Sequence, residues 1–234
     1  MTLPQSRVTV AMPWRATPSR IPPYRRVKQF WADMGLPVIP ADSDTNKPFN
    51  RAQARNRAVA SAPPGIVIVA DADTIPAPQA LKEALATVQD EVVWPFTWCR
   101  RIPGDWTGDL ESAPDLDADA EDLIGMGQHA VGGVLVMRTS TWWRLGGMDE
   151  RFTGWGGEDT AFACAANTLT GTRRIPGVLT TFDHFMDGEV RAHPPAGAWN
   201  PYRAADGIPA AMEALIADPS RMTFNTVVSR LLTQ

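Results

Sequence analysis

Four carboxylates and one histidine have the residue types and spacing to do chemistry in this 234-residue chain. Asp71 and Asp73 close the stretch GIVIVADAD, two residues apart at the end of a continuous apolar run. Side chains at i and i+2 share a face of a strand, so both carboxylates are expected to project together beyond a sheet. Two like charges held there repel unless something positive sits between them. A divalent cation bridging to a diphosphate would meet that need, and hard oxygen ligands suit Mg²⁺ or Mn²⁺. An ordinary turn is the competing account, because Asp is a common turn former. His184, in TTFDHF, follows another predicted strand and would add an imidazole ligand, which favours Mn²⁺. His193 and His129 are the remaining histidines and compete for that place. Asp183 would point the other way from His184 in an extended chain.

The second acidic pair lies in FTGWGGEDTAFACAAN, residues 152–167. Phe162, Ala163 and Ala166 recur at helical spacing, so a helix is expected to begin near Gly157. Glu158 and Asp159 then fall in its first turn, where the macrodipole favours negative charge. Capping accounts for the acids but leaves Gly154, Trp155, Gly156 and Gly157 unexplained. Glycines on both sides of a large aromatic indicate a mobile or closely approached backbone.

The elements that must position these residues alternate in type. RVTVAMPW (7–14) reads as a first strand, YRRVKQFWADMG (24–35) as an amphipathic helix and LPVIPADSD (36–44) as a short strand entering a polar loop. FNRAQARNRAVASA (49–62) reads as a helix with its arginines on one side, and GIVIVADAD (65–73) as the clearest strand. A helix over 78–89 and a strand EVVWPFTW (91–98) follow. AVGGVLVMRTSTWWRLGG (130–147) is a strand and then a helix, and RIPGVLTTFDHF (174–185) a late strand. This order predicts an α/β fold with a mainly parallel sheet covered by helices. Ligands collect at the carboxyl ends of strands in such sheets. Residues 103–122 carry eight acids and almost no large aliphatic side chains, which describes an exposed loop, a candidate lid. Its DLDADAED run lacks the closing Gly and Glu of a calcium loop. Two short amphipathic helices are expected beyond residue 205, so 1–204 is read as the main domain and 205–234 as a helical extension packed on it.

Composition sets the outer limits. Hydrophobic residues at 44% and charged residues at 21% fit a globular protein. No apolar run approaches the roughly 18 residues that span a membrane, and the N-terminus lacks a signal-peptide core. Cys99 and Cys164 are the two cysteines; with Cys164 on a helix face, a buried thiol in place of a disulfide and a reducing cytoplasm are expected. The net charge of −4 hides an asymmetry: residues 1–60 carry ten Arg or Lys against three Asp. A basic N-terminal part suits a diphosphate or another polyanion.

Taken together, PWR after the first strand, FNRA opening a helix, DAD ending a strand, GG before VLV, and GG-DERF-GWGGED resemble the GT-A-fold glycosyltransferases. The resemblance is to the catalytic domains of β-1,4-galactosyltransferases and polypeptide GalNAc-transferases, and it covers roughly residues 8–193. It implies a metal-dependent hexosyltransferase that moves a hexose or N-acetylhexosamine from a UDP-sugar to an acceptor hydroxyl, with Mn²⁺ or Mg²⁺ as cofactor. By this resemblance Pro13, Trp14 and Arg15 hold the nucleotide, and Asp42 meets the base or ribose. Phe49, Asn50 and Arg51 match FNRA, with Arg51 near the donor phosphates. Asp71 and Asp73 match the metal motif, Asp73 as the direct ligand, and His184 fits the late metal-binding histidine. Gly132 and Gly133 let sugar and backbone approach closely, and Trp155 is a mobile aromatic between donor and acceptor. Glu158 grips the acceptor, while Asp159 stands in the general-base position.

These relatives are membrane-anchored and disulfide-bonded, whereas this sequence shows neither feature, so a cytoplasmic enzyme of a bacterium or virus-infected bacterium is expected. The sequence around His184 departs from the galactosyltransferase pattern. Two other readings compete: a nucleotidyltransferase that makes the sugar nucleotide, and a non-catalytic sugar- or nucleotide-binding protein. The first usually carries a glycine-rich phosphate loop and a lysine, and residues 11–25 contain neither glycine nor lysine. Against the second stands the joint presence of Asp71, Asp73, Glu158 and Asp159. A protein or glycan is the favoured acceptor, and a modified DNA base is a further candidate.

Overall fold

The computed structural model describes residues 7–116, 130–153, 157–184 and 198. The first strand, β1 (Val8–Pro13), leads through a 3₁₀ turn (Pro18–Arg20) into α1 (Ile21–Asp33). Prolines at the start of α1 match the fixed φ of a helix N-terminus. Then come β2 (Val38–Ala41), α2 (Arg51–Ala60) and β3 (Ile66–Ala70). A turn connects β3 to β4 (Thr74–Pro76), followed by α3 (Pro78–Thr87), β5 (Val92–Trp94) and β6 (Trp98–Ile102). The later elements are β7 (Val134–Arg138), α4 (Thr139–Arg144), α5 (Glu158–Leu169), β8 (Thr172–Arg174) and β9 (Val178–Phe182).

Six strands form the main sheet in the order β2-β1-β3-β7-β5-β8. All its neighbours run parallel except β7, which is antiparallel to both β3 and β5. The sheet is therefore α/β and mostly parallel, as the alternation of elements implies. Strand β3 reads IVIVA and is buried at every position. A strand covered on both faces has no need of alternation, and each Val or Ile there contributes about 1.5–3 kcal/mol by leaving water. Trp31 of α1, Trp142 of α4 and Phe162 of α5 complete the core.

The predicted strand over 91–98 differs from the structure in a useful way. It breaks at Pro95 into β5 and β6, which belong to different sheets. Proline cannot donate to a ladder, so the chain leaves the main sheet there. The second sheet, β4-β9-β6, pairs β4 antiparallel and β6 parallel to β9. Two of its strands, β4 and β9, carry chain into and out of the region around Asp73 and His184. Residues 103–116 run without regular structure, and Ala113 within them is buried. The DLDADAED run from 117 onward, Gly154, Trp155, Gly156, His129, His193 and the helices expected beyond 205 lie outside the described residues. Both cysteines are free and half-buried, and burial pushes the Cys99 thiol up to about 11. No described helix is long and apolar enough to cross a membrane.

Candidate active site

Because β1, β2 and β3 run parallel and β7 opposes them, one edge of the main sheet gathers distant pieces of sequence. Pro13 pairs with Ala41, and Ala70 with Val134. Trp14, Arg15, Asp42, Asp71 and the Gly132-Gly133 pair therefore share one rim. At its outer end Pro13 is buried and the Trp14 ring stacks on Tyr24, with centroids 3.9 Å apart and planes 11° from parallel. Arg15 donates through Nε to both oxygens of Asp42 (2.9 and 3.0 Å) and through its other nitrogens to Ser43 Oγ and the carbonyls of Asp44 and Lys47. A planar fork of donors suits such convergence. Arg15 thereby shapes the loop that presents Asp42, while Asp42 remains 30% exposed at its side chain.

Asp71 and Asp73 do not project side by side from a strand. β3 ends at Ala70, and residues 71–73 form a turn that crosses into β4. The turn is fixed by main-chain bonds from Asp71 N to the Gly133 carbonyl (2.8 Å) and from Phe182 N to the Asp73 carbonyl (2.8 Å). It also separates the two carboxylates by partner. Asp71 Oδ1 accepts from Arg55 Nη2 at 2.6 Å, whereas Asp73 Oδ2 lies 2.8 Å from His184 Nε2. The positive charge beside Asp71 is thus an arginine of the chain itself. Burial would raise the Asp73 carboxyl, but the His184 hydrogen bond and the charges of His184, Arg20 and Arg51 outweigh it and hold the group below its ordinary range. Asp183 turns away, as extended geometry requires, to pair with Arg101 at 3.1 Å.

Asp73 and His184 fit a divalent cation that arrives with a diphosphate. They offer one carboxylate and one imidazole, on adjoining chain segments, with side chains 19% and 9% exposed. No cluster of three or more His, Cys, Asp or Glu side chains suited to a metal exists among the described residues. Two protein ligands agree with a cation that takes its remaining ligands from phosphate oxygens and water.

Arg51 and Asn50 open α2. Asn50 is its N-cap: Oδ1 accepts from Gln53 N (2.9 Å), and Nδ2 donates to the Glu150 carbonyl (2.8 Å). Its side chain is spent on holding the helix start against the GGMDE segment. Gln53 and Asn56 continue that seam, each donating to a carboxylate oxygen of the buried Glu150 at 3.0 Å. The arginines of α2 do not lie on one side as the sequence suggested. Arg57 is exposed, whereas Arg55 is 1% exposed and points inward.

Arg55 is the residue that sequence reasoning missed. Its Nη1 donates to Glu158 Oε1 at 2.9 Å, so one guanidinium joins the DAD turn to the first residue of α5. Burial alone would disfavour its charge, but Asp71, Glu158 and Asp159 hold it protonated above its usual range. Glu158 is 3% exposed; burial pushes its carboxyl up and Asp159 adds to the rise, against the pull of Arg55 and Arg51. The available signal was the spacing of Arg51 and Arg55, one helical turn apart in an otherwise alanine-rich helix.

Helix α5 begins at Glu158 after Gly157, which has φ 103° and provides no side-chain cap. Asp159, half-buried, caps locally by accepting from Thr160 N at 2.8 Å. A Cβ on Gly132 would lie 2.6 Å from Asp159 Oδ2, so the absence of a side chain at 132 permits the carboxylate to rest on the rim. Gly133, at φ 86°, is similarly crowded: a Cβ there would meet Leu179 Cδ2 at 2.4 Å. Behind the glycines, Trp94 Nε1 and Arg174 Nη2 donate to the carbonyls of Val131 (2.9 Å) and Ala130 (2.6 Å). The structure thus brings Asp71, Asp73, His184, Gly132, Gly133, Glu158 and Asp159 into one connected region.

This architecture is the GT-A glycosyltransferase fold. Residues 120–180 match the family described as the N-terminal domain of galactosyltransferase. The structure is similar to Drosophila β1,4-galactosyltransferase 7, solved with manganese, UDP-Gal and xylobiose, with a TM-score of 0.53 and 15% identity over 85% of this chain and 79% of that one. It is also similar to GalNAc-T7, solved with UDP, GalNAc and Mn²⁺, with a TM-score of 0.51 and 11% identity. That match covers 97% of this chain and 57% of GalNAc-T7, so the present chain spans little more than half its length. No curated protein matches the chain in sequence.

Proposed function

We propose that this chain is a metal-dependent glycosyltransferase that moves a hexose or N-acetylhexosamine from a UDP-sugar to an acceptor hydroxyl of a protein or glycan. The observation that carries this reading is the convergence of two acidic pairs, one of them beside an imidazole, at the carboxyl-end rim of the main sheet. Structures of the same fold contain UDP-Gal with manganese and UDP with Mn²⁺, which supports the choice of donor and metal.

Asp73 and His184 would hold the cation, which when bound supplies charge neutralisation for a departing diphosphate. Arg20 and Arg51, whose charges already act on Asp73, add positive potential at the same place. The Trp14–Tyr24 stack and the Arg15-ordered loop bearing Asp42 offer an aromatic and a polar surface for the base and ribose. Asp159 sits in the first turn of α5 beside Gly132 and would accept the proton of the acceptor hydroxyl. By the resemblance of its GWGGED segment, Trp155 would serve between donor and acceptor.

The test is nucleotide release by purified protein with Mn²⁺ and a panel of UDP- and GDP-sugars, alongside Asp73→Ala and Asp159→Asn. Release from one UDP-sugar, lost in both variants, is the expected result. Absence of binding and release with every donor would refute the reading. With the donor known, NMR of the product anomer tests the base: inversion fits Asp159, and a retained anomer would remove that role.

A further inference from the structure

Each acidic pair has two carboxylates, and in each pair the two have different surroundings. Asp71 bonds Arg55 and Asp73 faces His184; Glu158 bonds Arg55 and is 3% exposed, whereas Asp159 is half-buried at the rim. Arg55 meets Asp71 and Glu158 through separate nitrogens, with Met148 Sδ 3.3 Å from Nη1. Its Nε has no hydrogen-bond partner among the described residues. The guanidinium is therefore not placed by surrounding solvent or by a dense local network. Two carboxylates from distant segments place it, and it places them.

We propose that Arg55 is the positioning residue of this site: its buried guanidinium clamps the partly exposed Asp71 and the buried Glu158 in one ion triad, leaving Asp73 and Asp159 outside that triad to serve the ligands. The clamp links the β3–β4 turn to the start of α5, elements that do not pair with each other in either sheet. Burying an arginine is costly, and with Nε unpartnered among the described residues the bonds to Asp71 and Glu158 are what offset that cost. It fixes the spacing between the cation side of the site and the proton-accepting side. Lysine cannot reproduce it, because a single ammonium lacks the planar fork that reaches two carboxylates at once. The roles of Asp73 and Asp159 in this inference rest on the glycosyltransferase reading, whereas the clamp itself rests on geometry.

Hydrogen exchange measured by mass spectrometry on the full chain tests the clamp, with wild type, Arg55→Lys and Glu158→Gln compared. In Arg55→Lys, amides of both 71–74 and 158–162 are expected to lose protection tenfold or more. In Glu158→Gln the start of α5 alone should loosen. Unchanged protection in both segments, or loosening confined to α2, would overturn the proposal. Should Arg55→Lys not fold, Glu158→Gln decides: unaltered protection at 158–162 would overturn the clamp.

Mn²⁺ binding in the presence of UDP, read by electron paramagnetic resonance, separates positioning from mere support. Arg55→Lys should weaken affinity tenfold or more at unchanged stoichiometry, with the exposed control Glu83→Gln within threefold of wild type. A fall in stoichiometry alone, at wild-type affinity, would mean that Arg55 only maintains the folded fraction and would overturn the positioning role. Failure of wild type to bind Mn²⁺ with UDP would overturn the donor reading and the role of Asp73, while the exchange result on the clamp would stand separately.

Discussion

The DAD turn and the GED helix start have almost the same composition but are built by different forces. The turn between β3 and β4 is held by main-chain bonds on both sides, to Gly133 and from Phe182, within strands whose register is set. Among the described residues the start of α5 belongs to no strand ladder. Among the described residues it relies on the Arg55–Glu158 pair, the Asp159 bond to Thr160 N and the close approach of Asp159 to Gly132. The main-chain path of the DAD turn therefore has support besides Arg55, whereas its Asp71 carboxylate and the start of α5 both depend on that side chain. The difference matches the chemistry proposed. In that proposal Asp73 would serve a fixed leaving-group site, and Asp159 an acceptor that must enter.

Removing the clamp should break the comparison most strongly. Arg55→Met leaves Asp71 and Glu158 without their shared cation. Loss of one partner from a buried ion cluster typically costs about 3–5 kcal/mol. Urea unfolding with wild type as reference measures this, and a loss below about 1 kcal/mol would show that the triad is not under the strain its burial implies.

Asp159→Asn separates chemistry from support. A positioned general base contributes at least about 10²-fold, so kcat should fall by that much once the donor is known. Stability should change by no more than the roughly 0.3–1 kcal/mol of a first-turn charge. A variant that lost stability instead of rate would assign Asp159 to capping.

Gly132→Ala sharpens the contrast between the two regions. The added methyl would fall 2.6 Å from Asp159 Oδ2 and push that carboxylate off the rim. Small misplacements at reacting groups cost up to about 10²-fold, so a loss of roughly tenfold in kcat is expected with little change in melting temperature. Mn²⁺ affinity should remain near wild type, because the DAD turn is held by other atoms.

The smallest effect belongs to Asp183→Asn. Asp183 neighbours His184 in sequence, yet its exposed bond to Arg101 is a surface ion pair, and such pairs are worth about 0–1 kcal/mol. Melting temperature and Mn²⁺ affinity close to wild type are expected. A large loss of affinity would show that the segment carrying His184 depends on this pair and is not fixed by β9.

Several parts of the site are legible from residues alone because their signals are local. DAD after a fully apolar strand and the helix start at 158 each follow from spacing within one element, whereas Asn50, read as part of the helix over 49–62, proved to be the cap before α2. The break at Pro95, the short strands β4 and β8, and the burial of Arg55 were not legible in the same way. A three-residue strand carries too few positions to show a period. An arginine reads as solvated until the carboxylates that receive it are brought close.

By itself the sequence determined the α/β alternation, the order of the elements and the candidate carboxylates, since hydrophobic period, caps and turn residues act over a few positions. Only the tertiary structure decided which carboxylates share the Arg55 cation and which do not. Asp71 and Glu158 belong to distant elements, and nothing within either segment states that Arg55 stands between them. The strand order of the sheet and the packing of α2 bring the three together, and Coulomb attraction in a buried setting then fixes the division of roles.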